Sequence, residues 1–529
     1  MMKNENRMDS NLILTNANII TLKHLRPIYG SILIRNGKIS GITDNWHSNK
    51  FLERTARVID CRGKTILPGF IDAHLHLLHM AENFISLNIG PQNGIKSISD
   101  IQARISRLCH ELKPGIWIRA KGYNEFYLKE RRHLTKDDLD QVAHEHPVKL
   151  THRTGHAHVL NSLALKLTGI SIATPDPPGG FVDRAIPGGE PTGLFFEMGH
   201  LLSKLIPPVN AKELETGIKK ANQQLVSLGI TSFQDASVHN DLERWMMLQD
   251  WKKRGILIPK VRMMIGIDAF LDQGIQAFTD YPDQNQLKIT GVKIILDETT
   301  GGLYPSRSEL NKMVSMVHNT GLQVAIHAIE ERAIEAACDA IEFALQNNYK
   351  RNHRHRIEHC SVCPPALADR IASLGIFVVS QPSFIYYNGD RYLATVSEDQ
   401  SEHLYPLGRL LKKGINVVAS SDCPIVPANP LTGIYAACSR LTETGKQLLP
   451  DQGVTLMEAL KMYTKNAAMA IFEERIKGTI AMGMDADLIV LNENLSKFPA
   501  HKIKDLKVSM TIIAGQIAEE TDSPLTKLP

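Results

Sequence analysis

Cysteine is scarce in this sequence, with seven residues in a chain of 529. So few cysteines do not make the disulfide framework of a secreted protein, and they predict a protein of the reducing cytoplasm. Cys360 and Cys363 form a single C-x-x-C pair. Because no second pair completes a zinc knuckle, we expect two buried thiols at these positions rather than a zinc-binding element.

An excess of charge of one sign and long hydrophobic runs are also missing. The 60 lysines and arginines nearly balance the 56 acidic residues, and the formal net charge of +4 gives no electrostatic case for nucleic acid or an anionic membrane as partner. No apolar run reaches the ~18 residues that a transmembrane helix needs. The polar N-terminal residues 1–7 are not typical of a signal peptide. We therefore expect a cytoplasmic protein that binds neither nucleic acid nor membrane.

The chain does contain enough apolar residues, 43%, for a large core, and its length predicts two to four domains. Short runs near both ends alternate like antiparallel strands, at residues 11–15, 31–35, 39–42, 486–491 and 508–517. The Asn36-Gly37 pair between two of these runs is a strong hairpin signal. We predict a composite β-sandwich domain from residues 1–66 and 478–529.

Between the two ends, strand-like and helical patterns alternate, which predicts βαβ units and a parallel sheet. Eight strand-like runs are found, at residues 69–76, 229–235, 261–266, 291–297, 323–327, 355–359, 376–381 and 415–422. Eight such units predict an α/β fold, a (β/α)8 TIM-type barrel over residues 67–477, with its chemistry where the strands end. The interval of residues 97–191 is far longer than one crossover helix, and we predict an inserted subdomain there, over the barrel mouth.

Candidate metal ligands stand at the ends of these strands. The first run ends with His74 and His76, which are two residues apart. On a strand, both imidazoles then lie on the same face and can bind one metal ion. Later runs end in or near Lys293, His327, His359 and Asp422. Imidazole and carboxylate groups suit zinc and similar metals, and catalytic sites leave a position open for water. A single histidine on such a strand is more often a hydrogen-bonded core residue, but four of them with an aspartate indicate a metal site. The histidines within residues 351–355 are instead expected in a solvated loop.

Two of these residues have alternative interpretations. As an ammonium, Lys293 would be repelled by a metal ion, whereas with a carboxylate group on its amine it would be an anionic bridge between two metals. The alternative is a surface lysine or a partner of Asp297.

Asp422 can accept the proton of a metal-bound water and pass it to a leaving nitrogen. Its alternative is the N-cap of a helix at Pro424.

Seven motifs are spread along the chain: LPGFIDAHLH at 67–76, GHAHVLNSLAL at 155–165, GEPTGL at 189–194, RIEH at 356–359, SDCP at 421–424, YTKNAA at 463–468 and DADLIVL at 485–491. Together they resemble the amidohydrolase superfamily, in the amidohydrolase-3 branch of YtcJ-like and N-substituted formamide deformylase-like proteins. The resemblance runs nearly end to end. It is highly specific for the family and much less specific for any substrate.

This resemblance implies a metal-dependent hydrolase with a barrel and a composite β-sandwich, which cleaves a carbon–nitrogen bond of amide or N-formyl type with metal-activated water. It assigns the roles in the site as follows: His74 and His76 to one metal, His327 and His359 to the other, and Asp422 to the metal site as general base. Lys293 stands where two-metal members carry a carboxylated lysine. The implied cofactor is a divalent metal, zinc, as one or two ions. The implied partners are a small-molecule substrate and further copies of the chain.

His156 in the insertion is a further candidate, either as a catalytic contact to substrate or transition state or as a structural residue. The chain departs from the family at two places: AIEE instead of a Gly-Asp pair follows His327, and DETTGG stands at 297–302 instead of Asp-Gly-Ser-Leu-Gly. The second departure is compatible with a different substrate. The alternatives are a deaminase or a hydrolase of cyclic amides or esters at the same site, and a metal-binding barrel without catalysis.

Overall fold

The computed structural model describes residues 11–24, 26–44, 56–177, 179–274, 276–279, 286–298 and 302–521. Residues 1–7 and positions 299–301 of the altered DETTGG run lie outside this part of the chain. The chain divides into two compact units: unit 1 is Met1–His76, Asn222–Leu296 and Pro305–Pro529, and unit 2 is Leu77–Ala221 and Asp297–Tyr304. The predicted domain boundaries, and the place of the insertion over the barrel mouth, stay predictions.

Eight parallel strands of unit 1 form a nearly closed barrel, in which each strand pairs with the next along the chain. The strands are Phe70–Leu75, Ile230–Asp235, Lys260–Gly266, Leu287–Ile295, Gln323–Ala328, Arg356–His359, Phe377–Ser380 and Val417–Ala419. Several are buried along their whole length, as expected for parallel strands covered on both faces. The predicted parallel barrel is confirmed and is consistent with a TIM-type fold.

Backbone hydrogen bonds join the first and the eighth barrel strands at their carboxyl ends. The N–H of Asp422 donates to the carbonyl of His74 at 2.8 Å, and the N–H of His76 donates to the carbonyl of Cys423 at 2.8 Å. These bonds fix the backbone of three predicted site residues at the point where the barrel closes.

Helices connect the strands of unit 1 and begin and end at ordinary signals. For example, Arg307–Thr320 begins with a capping box between Ser306 and Glu309, and it ends at Gly321 with a φ of +88°. The other helices of this unit are Leu242–Lys253, Ile267–Gln273, Gln276–Thr279, Glu331–Asn347, Pro365–Ser373, Ser383–Thr395, Glu398–Ser401, Leu407–Lys412, Pro430–Ser439, Leu456–Met462 and Lys465–Ala470.

Strands from both ends of the chain form one eight-stranded sheet in unit 1. Thr65–Pro68 joins the two sets, because it pairs with Leu12–Ile19 on one side and with Leu488–Leu491 on the other. The remaining strands are Ile28–Arg35, Lys38–Thr43, Arg57–Asp60, Val508–Ile513 and Gln516–Glu520. The sheet confirms that the two chain ends pair, while its packing as a β-sandwich stays a prediction.

Two turns of this sheet test the sequence analysis in opposite ways. The predicted hairpin at Asn36-Gly37 is confirmed, and both residues have positive φ angles of 50° and 74°. The run predicted as one strand over 508–517 is wrong, because the chain reverses at Ala514-Gly515 with φ angles of 49° and 76°. An alanine with a positive φ is uncommon, so Ala514 did not indicate a turn, and Gly515 alone is a weaker hairpin signal than an Asn-Gly pair.

Unit 2 contains a six-stranded mixed sheet. Its strands are Leu87–Asn88, Ile118–Tyr123, Val148–His152, Ala157–Leu160, Phe181–Arg184 and Pro191–Phe196. Its helices are Leu77–Ile85, Ile98–Glu111, Lys136–Asp140, Ser162–Thr168, Gly199–Leu205 and most of Ala211–Ser227. The Gly- and Pro-rich run over 174–193 thus contains one strand and the beginning of another.

Three further expectations concern membranes, thiols and histidines. None of the helices that the structure describes combines the length and the apolar character that crossing a membrane requires. Cys360 and Cys363 are free, buried thiols, as predicted. The expectation of a solvated loop at 351–355 is wrong for His353 and His355, which are 9% and 1% exposed.

Candidate functional site

The predicted ligands stand at the carboxyl ends of barrel strands, the edge where barrel enzymes place their chemistry. His74 and Lys293 lie near the ends of the first and fourth strands, and His76 follows the first strand directly. His327 lies near the end of the fifth strand, His359 ends the sixth and Asp422 follows the eighth. Because these ends share one rim, residues more than 300 positions apart in the sequence meet.

His74, His76 and Asp422 form the centre of the site. Oδ1 of Asp422 lies 3.1 Å from Nε2 of His76 and 3.4 Å from Nε2 of His74. One ligand atom from each residue lies within 4.8 Å of the others. Two ligand atoms at tetrahedral angles around zinc are separated by about 3.3 Å. The carboxylate oxygen of Asp422 is therefore spaced from each of the two imidazole nitrogens as two ligands of a single ion would be.

The partner of the second ring nitrogen fixes the protonation of His74. Its Nδ1 lies 2.5 Å from Oε2 of Glu358, and both side chains are buried. A carboxylate only accepts, so Nδ1 carries the proton. Burial and the charge of Lys293 hold the pKa of His74 well below its usual range, so the ring is neutral. The lone pair of its Nε2 then faces the carboxylate of Asp422 with no proton between the two atoms. A cation bound between them would stabilise both the imidazole and the carboxylate.

The other two histidines continue the cluster from His74. The ring centroids of His74 and His359 are 5.1 Å apart, and those of His359 and His327 are 4.4 Å apart. Nδ1 of His359 lies 2.8 Å from the amide oxygen of Gln381 and donates to it, which leaves Nε2 as an acceptor. Nδ1 of His76 lies 3.0 Å from the hydroxyl of Ser237, which holds this ring in place.

Lys293 belongs to the same cluster. Its Nζ lies 3.5 Å from Nε2 of His74, and the residue is 2% exposed, which excludes the surface lysine that the sequence left open. Burial lowers the pKa of Lys293 to about 8, although the charge of Glu358 opposes the shift. An amine with this pKa is neutral far more often than a surface lysine.

Asp422 and His359 both have left-handed backbone conformations, with φ angles of 56° and 72°. Such angles cost a non-glycine residue about 1–3 kcal/mol, and they concentrate at functional sites. No helix starts at Asp422. The next one is Pro430–Ser439, with Asn429 as its N-cap. The interpretation of Asp422 as a helix N-cap is therefore wrong.

A second carboxylate holds the segment of Asp422 in place. Asp72 accepts hydrogen bonds from the backbone N–H and the hydroxyl of Ser421 at 3.1 and 2.5 Å. Burial raises the pKa of Asp72 to about 6, although these bonds oppose the shift. Burial would also raise the pKa of Asp422, but the interactions of its carboxylate with the imidazoles of His74, His76 and His359 outweigh burial and hold this pKa well below its usual range.

His156 lies in unit 2. Its side chain is 48% exposed, and its Nδ1 is 2.9 Å from Oε2 of Glu197. This pair positions the ring, and both interpretations of His156, a contact to substrate or a structural residue, stay predictions.

Three polar partners of the ligand histidines had no role in the sequence analysis: Glu358, Gln381 and Ser237. Glu358 lies inside the RIEH motif, next to His359, and a second carboxylate beside a candidate ligand was the available signal. Arg356 of the same motif is fully buried and donates to Oε1 of Glu358, which holds this carboxylate in place beside His74. Such partners orient ligand histidines and set their tautomer.

Comparison with known proteins extends these observations to the whole chain. A model of the amidohydrolase family matches residues 57–518. YtcJ of Bacillus subtilis (strain 168) is 29% identical, with 93% of this chain and 96% of YtcJ covered. The N-substituted formamide deformylase of Arthrobacter pascens is 28% identical over 96% of this chain and 98% of its own.

A solved structure agrees with these sequence matches. An uncharacterized metal-dependent hydrolase from Pyrococcus horikoshii OT3 superimposes with a TM-score of 0.74 at 26% identity, over 94% of this chain and 99% of its own. Histidines and carboxylates line the rim of the barrel, and the family model matches most of the chain. The chain therefore belongs to the amidohydrolase family and is a metal-dependent hydrolase of carbon–nitrogen bonds.

Proposed function

We propose that this protein cleaves an amide or N-formyl bond of a small molecule by metal-assisted hydrolysis, with Asp422 as the general base. The observation that carries the proposal is the convergence of two imidazole Nε2 atoms on one buried carboxylate oxygen, at 3.1 and 3.4 Å. The name of the Arthrobacter pascens relative, an N-substituted formamide deformylase, supports the N-formyl type of substrate.

The donor set fits a divalent ion of the zinc type. His74, His76 and Asp422 would hold a first ion, and His327 and His359 would hold a second. When bound, such an ion polarises a carbonyl and lowers the pKa of water. The remaining chemistry belongs to the side chains.

The carboxylate of Asp422 would remove a proton from the attacking water and return it to the leaving nitrogen. Its low pKa keeps it ionised and ready to accept. The hydrogen bonds of Asp72 to Ser421 hold the segment that carries this base. Glu358 and Ser237 keep the two imidazoles oriented toward the same place.

Lys293 supports a bridged two-metal site. Its Nζ lies inside the cluster at 3.5 Å from His74 Nε2, where a permanent ammonium would oppose cation binding. Carboxylation of the amine would convert this opposing charge into an anionic ligand shared by both ions.

The test is a turnover screen of the full-length, zinc-loaded protein with N-formyl amines, linear and cyclic amides, adenosine-type amines and esters. We expect hydrolysis of an N-formyl amine or amide that stops after chelation and returns with zinc. His76→Asn should abolish it, while the matched change His110→Asn at an exposed position should not.

Other outcomes of this screen lead to different conclusions. Turnover confined to adenosine-type amines, cyclic amides or esters would support the alternative substrates. Tightly bound zinc with no turnover of any compound would support a binding protein and contradict the proposal.

A further inference from the structure

Basic side chains share one face of the six-stranded sheet in unit 2. Arg119 stands opposite Lys149 on the neighbouring strand, and Lys121 stands opposite Thr151. Thr151 in turn stands opposite His158 on the next strand. Residues opposite one another on paired strands, and residues two apart on one strand, lie on the same face of a sheet. We call Arg119, Lys121, Lys149 and His158 the basic face.

The basic face carries more positive charge than its surroundings neutralise. Nζ of Lys121 pairs with Oε2 of Glu82 at 2.5 Å. The guanidinium of Arg119 donates to the carbonyl of Pro207 at 2.5 Å and has no ion pair within the described part of the chain. The ammonium of Lys149 has neither a hydrogen bond nor an ion pair to any residue that the structure describes, although it is partly buried. Among the described residues, the three cationic side chains Arg119, Lys121 and Lys149 therefore have one ion pair between them, that of Lys121 with Glu82.

His158 has an unused polar atom in the same place. The residue is 5% exposed, and among the described residues its Nε2 has no hydrogen-bond partner. Its Nδ1 lies 3.4 Å from the hydroxyl of Thr151. Leaving a buried polar atom unsatisfied typically costs about 1–3 kcal/mol, so a structural role alone does not account for this ring. A Cβ at Gly199 would lie 3.1 Å from Nε2, so a side chain at that position would crowd this atom.

We propose that the basic face is a binding site for a small dianionic oxyanion of the phosphate type, held by Lys121, Lys149 and His158. Two ammonium groups would supply charge, and the imidazole would supply a directed N–H once Thr151 donates to its Nδ1. The anion would give Lys149 its missing partner and satisfy Nε2 of His158.

The electrostatics of the cluster agree with this geometry. Burial, together with the charge of Lys121, lowers the pKa of Lys149 to about 8, and Glu82 opposes the shift. Burial and the charge of Lys149 also hold the pKa of His158 well below its usual range. A bound dianion would reverse both Coulombic contributions. This site is separate from the proposed hydrolysis and does not depend on it.

The experiment is isothermal titration of the full-length, metal-loaded protein with sodium phosphate near pH 7, at an ionic strength held constant with sodium chloride. Lys149→Met removes the unpaired charge and keeps the aliphatic stem. Lys113→Met makes the same change at an exposed position of unit 2. His76→Asn removes phosphate binding at the metal site and reports on the basic face alone. Circular dichroism of each variant confirms folding.

We expect saturable phosphate binding at the basic face that Lys149→Met weakens at least tenfold, while Lys113→Met leaves it unchanged and His76→Asn retains it. Acetate should bind at least tenfold more weakly than phosphate, because it carries a single charge. The proposal is overturned if phosphate does not bind, if His76→Asn rather than Lys149→Met removes the binding, or if acetate binds as well as phosphate. If Lys149→Met fails to fold, Lys121→Met replaces it with the same expected loss.

Discussion

Nδ1 of His74 lies 2.5 Å from Oε2 of Glu358, and both side chains are almost fully excluded from solvent. The pair spans 284 positions of sequence and joins the first barrel strand to the sixth. It decides which nitrogen of His74 is an acceptor, and therefore which atom can bind a cation. The carboxylate of Glu358 is itself held by Arg356. The site thus contains a candidate ligand, the carboxylate that orients it and the guanidinium that holds that carboxylate in place.

Glu358→Gln should weaken metal binding by about 10- to 100-fold, because an amide oxygen accepts from Nδ1 of His74 more weakly than a carboxylate. Competition with a chromophoric chelator measures the affinity. Glu335→Gln, at an exposed carboxylate that pairs with Arg307, is the matched control and should leave it unchanged. Wild-type affinity in Glu358→Gln would show that this carboxylate does not orient the ligand.

Asp422→Asn should lower kcat by about 100- to 10,000-fold, because the amide cannot accept the proton of the attacking water. Steady-state kinetics on the best substrate, with metal content determined in the same sample, separates loss of the base from loss of metal. The exposed Asp369→Asn serves as the control. A metal-loaded Asp422→Asn with wild-type kcat would remove Asp422 from the mechanism.

Lys260→Met should destabilise the protein by about 3–5 kcal/mol, because it leaves buried carboxylate charge without a partner. Nζ of Lys260 lies 2.6 Å from Asp487 and 2.7 Å from Asp485, with Lys260 and Asp487 only 5% and 4% exposed. Thermal melting measures the loss. Lys38→Met removes the exposed partner of Asp485 and should change stability by only about 0–1 kcal/mol. Equal melting temperatures for the two variants would contradict this account.

Acid should destabilise the fold through His355. Its Nδ1 accepts from the backbone N–H of Val324 at 3.0 Å, and its Nε2 lies 2.7 Å from Nδ1 of His318. Because Nδ1 of His355 accepts from Val324, it carries no proton and the ring must stay neutral. Nε2 of His355 then donates to Nδ1 of His318, whose Nε2 lies 2.6 Å from the carbonyl of Asn348 and donates to it. Burial and the charge of His353 hold the pKa of His355 well below its usual range.

Below a pH of about 6.5 the unfolded chain therefore binds a proton at His355 that the folded protein does not, and stability falls as the pH falls. Melting temperatures between about pH 7.5 and about pH 5.5 measure this dependence. His355→Asn keeps an acceptor for Val324 and cannot titrate, so its melting temperature should fall less over this range than that of the wild type. The exposed His110→Asn should follow the wild type, and an unchanged slope in His355→Asn would exclude this residue as the origin.

The barrel and its six candidate ligands could be predicted because both depend on local periodicity. Strands of three to nine residues are separated by helices, and parallel strands that close a barrel bring their carboxyl ends to one rim. A histidine or aspartate at the end of such a run is therefore placed by the topology alone. The Asn36-Gly37 hairpin is equally local.

Glu358 could not be assigned because alternation along a strand places it on the face opposite to its neighbour His359. The φ angle of 72° at His359 breaks that alternation, and both residues reach His74. The burial of His353 and His355 was missed for a related reason. Polar and basic neighbours indicate solvent, whereas carbonyl and N–H groups from distant segments satisfy these rings inside the protein.

Metal stoichiometry is the sharpest test of a two-metal centre bridged by Lys293. The measurement is elemental analysis of the wild type and of Lys293→Ala, prepared side by side in buffer with bicarbonate. We predict about two divalent ions per wild-type chain and one or none in the variant, as expected when a carboxylated lysine bridges a two-metal site. One ion in both proteins would contradict the bridge at Lys293, and no ion in either would contradict the metal centre itself.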